Sequence, residues 1–247
     1  MSEKRVLVTG SSRGIGRAAA LALAKNGWKV AIHGATDSSS LREAAQLVGG
    51  SLQGIYACPL TSAEDAKNLW AKVTADGPVH ALVNNAGVYR PHSFTGTTDA
   101  EFTATVASIF GTNFSAPLWL TRLACQQFLK QGGGRIVQVA SRVGHRGESG
   151  AAVYAASKAA LINLVRSLAV ENSKDNIQHF AIAPGWVNTA MARDGMNERL
   201  PDILSTIPIG RMAMPEDCAN AIKWLLSGEA DYMSGIVIDI NGASYLR

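Results

Sequence analysis

The chain has 247 residues, 47% of them hydrophobic, enough to bury one sizeable core, so a single domain over 1–247 is the expectation. Its formal charge of +4 is dispersed, with no Lys/Arg-rich tract. This excludes nucleic acid as an expected partner and leaves a mild positive field suited to an anionic ligand. Cys58, Cys125 and Cys218 are odd in number and have no CxxC or HxxxH neighbour. That pattern excludes a disulfide framework and a zinc site, and it points to a reducing cytoplasm. The opening MSEKRVLVTG leads into no long apolar segment, which predicts a soluble, unprocessed chain without a membrane span.

In chain order, RVLVT reads as a strand, Gly14 to Lys25 as a helix, KVAIH as a strand and Leu41 to Val48 as a helix. GIYAC, ALVNN, RIVQVAS, IQHFAIA and IVIDI follow as further strands, with helical material between them. Seven strands alternating with helices predict a doubly wound Rossmann-like α/β fold, a parallel sheet with helices on both faces. Its ligand crevice lies beyond the C-terminal strand ends.

The first strand–helix turn, VLVTGSSRGIGRAAALALA, carries Gly10, Gly14 and Gly16. Glycine permits a tight turn and close backbone approach, and a helix N-terminus offers free N–H groups to a pyrophosphate. No Gly-Lys-Ser/Thr closes the loop, so it is not a Walker A motif. Asn84, Asn85 and Gly87 should close the fourth strand, Ser141 the fifth, and Pro184 and Gly185 the sixth, all opening on one side. VYAASKAAL then sets Tyr154 and Lys158 four apart, on one face of a helix.

TGSSRGIG, NNAG, Ser141 thirteen positions before Tyr154, YAASK, PGWVNT and the late PIGRMAMPEDCANAIKWLLS, in that order, resemble the short-chain dehydrogenase/reductase family over essentially the whole chain. The flavour is that of its 3-oxoacyl-carrier-protein reductase branch. The resemblance implies an NADP(H)-dependent oxidoreductase that reduces a carbonyl by hydride transfer. Tyr154 would be the acid/base and Ser141 the holder of the substrate oxygen. Lys158 would bind ribose and acidify the phenol, and Asn113 would support a water-linked proton path. A phenol titrates near 10. One ammonium at about 4 Å supplies roughly the 4 kcal/mol needed to bring it toward neutrality. Asn113 stands eleven positions after Phe102 where the family pattern has about seven, so a bulge or break near Gly111 is expected.

Cofactor contacts implied by the family are Gly10, Ser11, Ser12, Arg13, Gly14, Ile15 and Gly16 in the first loop and Leu60 after the third strand. Asn85, Ala86 and Gly87 follow the fourth, and Pro184, Gly185, Val187 and Thr189 the sixth. Tyr154 and Lys158 join them. Gly34 and Ala35 stand where an NAD-binding acid or NADP-binding arginine is sought, so Arg13, with Thr36 and Ser38, favours NADP(H). NAD(H) is the alternative, with Asp37 as its acid. Pro59 replaces the aspartate that relatives set against the adenine amino group.

A substrate loop over about 188–208, with Arg90, His92, Arg142, His145, Arg146, Trp186, Met191 and Met196 nearby, suits an anionic or mixed aromatic-polar substrate. Acyl carrier protein is a weaker partner candidate, because Val170 stands where close relatives carry a docking arginine. An idle NADP(H)-binding sensor or scaffold, and an epimerase or dehydratase, are the competing readings. Apolar residues around more than one face of the helices carrying SAPLWLTRLACQQFL and YAASKAALINLVRSLAV suggest further burial, and the family implies a homotetramer.

Overall fold

The computed structural model describes residues 3–193 and 199–247. Strands β1 (Arg5–Val8), β2 (Lys29–Gly34), β3 (Leu52–Ala57), β4 (Ala81–Asn84), β5 (Gly134–Val139), β6 (Ile177–Pro184) and β7 (Val237–Ile240) form one sheet, in the order β3-β2-β1-β4-β5-β6-β7. Every pairing is parallel. The seven strands and the helix α1 (Gly14–Lys25) lie where the sequence pattern set them.

Side chains alternate along each strand, and the two faces collect different helices. Val6, Val8, Val30, Ile32, Val83 and Val137 pack with α1, α2 (Ser39–Val48) and the helix Pro215–Leu225. Leu7, Ala31, Leu82 and Ile136 face α3 (Ala63–Thr74) and α5 (Ala116–Gln131). Ala140, Ala181 and Ala183 are small, and α6 (Ala152–Asn172) comes down on them through Ile162 and Val165. Each fully buried leucine or phenylalanine in these layers contributes about 1.5–3 kcal/mol.

Between α4 (Asp99–Phe110) and α5 the chain makes a π-turn, Gly111–Ser115. It falls where a bulge or break near Gly111 was expected, and it does not end the helical path. Gly111 is required there: a Cβ would lie 2.5 Å from the Thr61 carbonyl oxygen.

Among the described residues one helix, Ala152–Asp175 with its 3-10 end, would suffice by length and composition to cross a membrane, a feature absent from the sequence expectation. Lys158, Arg166 and Glu171 interrupt it, and Val153, Leu161, Ile162, Val165 and Ala169 are buried on the sheet side.

The chain leaves β1 toward β2 and β3, then returns to place β4 on the other side of β1. At that reversal the loops after β1 and β4 diverge and open a crevice. Thr9 joins its two walls: its hydroxyl accepts the Asn85 and Ala86 N–H groups, each at 3.0 Å, and donates to the Val83 carbonyl at 3.3 Å. Replacing Gly111 with alanine should destabilise the fold by about 1–3 kcal/mol, the usual range for overpacking against an unyielding neighbour. The check is a lowered urea midpoint at unchanged slope.

Candidate active site

A cavity of about 850 Å³ runs along the C-terminal strand ends. One end is formed by the glycine loop. Gly10 has a φ of 63°, and a Cβ there would lie 2.8 Å from the Ala86 Cα, so only glycine fits. Gly10, Ser12, Arg13, Gly14 and Ile15 line the cavity. Ser11 and Gly16 are not among the lining residues. Ser11 is fully buried, its hydroxyl accepting the His33 N–H at 2.9 Å. Gly16 is a packing position, where a Cβ would stand 2.3 Å from the Gly10 carbonyl oxygen.

His33, missed by sequence reasoning, locks this end. Its Nδ1 accepts the Gly10 N–H at 3.2 Å, which leaves the ring proton on Nε2 to donate to the Cys58 carbonyl at 3.1 Å. Burial holds its pKa below the ordinary histidine range, so the ring stays neutral. The available signal was its place at the C-terminal end of a buried strand.

Gly34, Ala35, Thr36, Pro59 and Leu60 continue the wall. Ser38 instead caps α2, accepting the Leu41 N–H at 3.3 Å. Asp37 faces away and accepts from Arg42 Nε at 2.9 Å; that guanidinium holds its carboxyl below the usual range. The alternative NAD acid is thus already paired and outside the cavity lining. Arg13 is exposed, lines the cavity and makes no ion pair among the described residues.

The middle is built from Asn85, Ala86 and Gly87 on one side and Pro184, Gly185, Val187 and Thr189 on the other. Asn85 Nδ2 donates to the Thr9 and Gly10 carbonyls at 2.9 and 3.0 Å, so its side chain fixes the loop. Asn84 points into the helical layer instead, donating to Thr121 Oγ1 at 3.1 Å.

At the far end Ser141, Tyr154 and Lys158 come together. Tyr154 is half-buried, and its ring meets Tyr89 edge-on with centroids 5.1 Å apart. Lys158 is 4% exposed; its Nζ donates to the Val139 carbonyl at 2.8 Å and lies 5.7 Å from the Tyr154 ring centroid. The electrostatics differ from the sequence expectation. Burial pushes Tyr154 up to about 12, against an opposing hydrogen bond from Ser141, with Tyr89 and Glu148 adding to the rise. Burial likewise brings Lys158 down to about 8. Desolvation outweighs attraction because the amine is spent on a carbonyl and sits over the ring. Tyr154 is therefore a neutral phenol at pH 7.

Asn113 is fully buried and does not line the cavity. Its Oδ1 accepts the Val88 N–H at 2.8 Å, and its Nδ2 donates to the Val88 carbonyl at 2.9 Å and to Ser157 Oγ at 3.3 Å. It ties the loop after β4 to α6 at Ser157, the residue before Lys158. Of the substrate candidates, Arg90, Arg142, Trp186 and Met191 line the cavity, while His92, His145 and Arg146 do not. Met196 lies outside the described residues. Tyr89, Glu148 and Arg199 line this end as well and carried no sequence motif.

Residues 10–243 match the family model described as enoyl-(acyl carrier protein) reductase, and the chain is 36% identical to the 3-oxoacyl-(acyl-carrier-protein) reductase of Escherichia coli (strain K12) over 98% of each chain. The chain belongs to the short-chain dehydrogenase/reductase family. A solved member from Beutenbergia cavernae, assigned as an NAD(P)-dependent gluconate 5-dehydrogenase and holding NADP at low occupancy, superposes with a TM-score of 0.91 at 33% identity, covering 98% of this chain and 96% of its own. The NADP-bound 3-oxoacyl (acyl-carrier-protein) reductase of Agrobacterium tumefaciens C58 gives 0.88 at 29% identity, over 97% and 93%. This dehydrogenase/reductase is thus similar to members with different substrates, and membership itself establishes an oxidoreductase family and its fold.

The buried lysine has a thermodynamic signature. Its folded pKa of about 8 lies below the unfolded value of 10.5, so the unfolded chain binds more protons between those values. The charged amine therefore destabilises the fold below pH 8, and the penalty, about 3 kcal/mol at most, is relieved as pH rises toward 10.5. Lys158→Met should be more stable than wild type at pH 7, with the gap narrowing between pH 8 and 10 in urea titrations.

Proposed function

We propose that the protein is an NADP(H)-dependent reductase that converts a ketone to an alcohol, with Tyr154 as proton donor. The observation that carries this is one continuous cavity. The glycine loop and Arg13 occupy one end, and Ser141 and Tyr154 the other. When bound, NADPH supplies hydride. The fit rests on the cradle where Gly10 approaches Ala86 and on the N-terminus of α1 opening into the cavity. Arg13 suits a 2′-phosphate, since no acid among the described residues pairs with it and Asp37 is held by Arg42. The NADP in both solved relatives supports the same choice.

In this reading the hydroxyls of Ser141 and Tyr154 hold the carbonyl oxygen by hydrogen bonds. As that oxygen becomes an alkoxide, the Tyr154 proton moves to it. At about 12 the phenol is a far stronger acid than an alcohol, whose pKa is close to water's ~15.7, so the transfer is downhill. The phenolate left behind faces Lys158, which is cationic below about 8 and stabilises it. Asn113 acts as a positioning residue through Val88 and Ser157. A 3-oxoacyl thioester and a gluconate-type substrate are the two chemistries that the relatives represent. Val170, 89% exposed on α6, gives an acidic carrier nothing to pair with and weighs against the first.

Tyr154→Phe should reduce turnover by at least about 10²-fold, the scale of general acid catalysis, while NADPH affinity by fluorescence titration stays within twofold. An idle cofactor-binding protein would show no turnover in wild type either. Arg13→Ala should weaken NADPH about tenfold, equivalent to ~1.4 kcal/mol, and leave NADH almost unchanged.

A further inference from the structure

A charged pair walls the substrate end of the cavity. Arg142, next to Ser141, is 4% exposed; its Nη1 donates to Ser244 Oγ at 2.8 Å and its Nη2 to Glu148 Oε2 at 3.3 Å. Its Nε is buried without a hydrogen-bond partner among the described residues. The guanidinium lies 6.0 Å from the Trp186 ring. Glu148 keeps 22% side-chain exposure, and its charge raises the pKa of both Tyr154 and Tyr89, which sets it beside the proton donor. Arg90 and Arg199 line the same end. Three guanidiniums and one carboxylate therefore line this end.

A saturated acyl chain laid against this wall would take the remaining exposure of Glu148 from water and leave the Arg142 Nε unsatisfied, which is costly. A run of hydroxyls suits it. The Glu148 oxygens can accept O–H groups, Arg142 can donate to the hydroxyl oxygens, and the rings of Tyr89 and Trp186 can cover the C–H face. The surplus of guanidinium favours an anionic terminus.

We propose that Arg142 and Glu148 are specificity residues for a compact polyhydroxylated ketone bearing a carboxylate, a keto sugar acid, and against a fatty 3-oxoacyl chain. This rests on the carbonyl reduction proposed above and narrows its substrate. The test is steady-state kinetics of the full chain with NADPH and three ketones: 5-keto-D-gluconate, D-fructose and acetoacetyl-CoA. The keto sugar acid should exceed each of the others in kcat/KM by at least tenfold. In Glu148→Leu the ratio of kcat/KM for the keto acid over acetoacetyl-CoA should fall at least tenfold, carried by KM, and Glu148→Gln, which keeps an accepting oxygen, should recover most of it.

A purely structural role for Glu148 would lower both substrates together, along with the melting temperature, and leave the ratio unmoved. That result, or acetoacetyl-CoA or D-fructose matching the keto acid, would overturn the assignment while leaving carbonyl reduction standing. Binding of NADPH without turnover of any ketone would overturn the reduction itself, and the substrate assignment with it.

Discussion

The hydrogen bond from Lys158 to the Val139 carbonyl, 2.8 Å long, is the constraint on which the chemistry turns. It fixes an amine at the end of β5, beneath the loop that carries Ser141 and beside the ring of Tyr154. A buried amine is costly to charge, and the Val139 carbonyl oxygen that faces it offsets part of that cost. Asn113 and Ser157 brace the same turn of α6 from the side of β4. Three elements far apart in sequence thus hold one nitrogen in place.

The architecture was legible because each strand is short, β-branched and followed by a helical stretch. RVLV announces a buried parallel strand and VIDI a half-buried one, and GIGRAAALALAK announces its helix down to the last residue. The break before Asn113 was also legible, since the count from Phe102 ran long and Gly111 was the nearest residue able to absorb it; the structure resolves it as a π-turn. Which loop residues only support others was not legible. Ser11 and Gly16 share a motif with Gly14, yet their side-chain positions face the protein rather than the cavity, and only the packing of β1 against β2 and β4 decides this.

Electrostatics was the least legible layer. A Tyr and a Lys four apart predict attraction, whereas solvent exclusion moves both pKa values the other way. Exclusion depends on everything packed around the pair, including Tyr89 from another loop. Glu148 escaped for the same reason, although Arg142 was legible as a pocket residue. Their pairing is local, but its meaning depends on Ser244 and Trp186, which arrive from distant segments.

The bonds that shape the cleft join residues remote along the chain: Thr9 and Asn85 are 76 positions apart, and Arg142 and Ser244 are 102. Closing such loops carries an entropic cost before any contact rewards it, so topologies of this kind fold slowly. No hairpin or isolated helix of this protein could hold a rudimentary version of the cleft. During refolding, competence to bind a dinucleotide should therefore emerge late and all at once, after helical signal has largely returned.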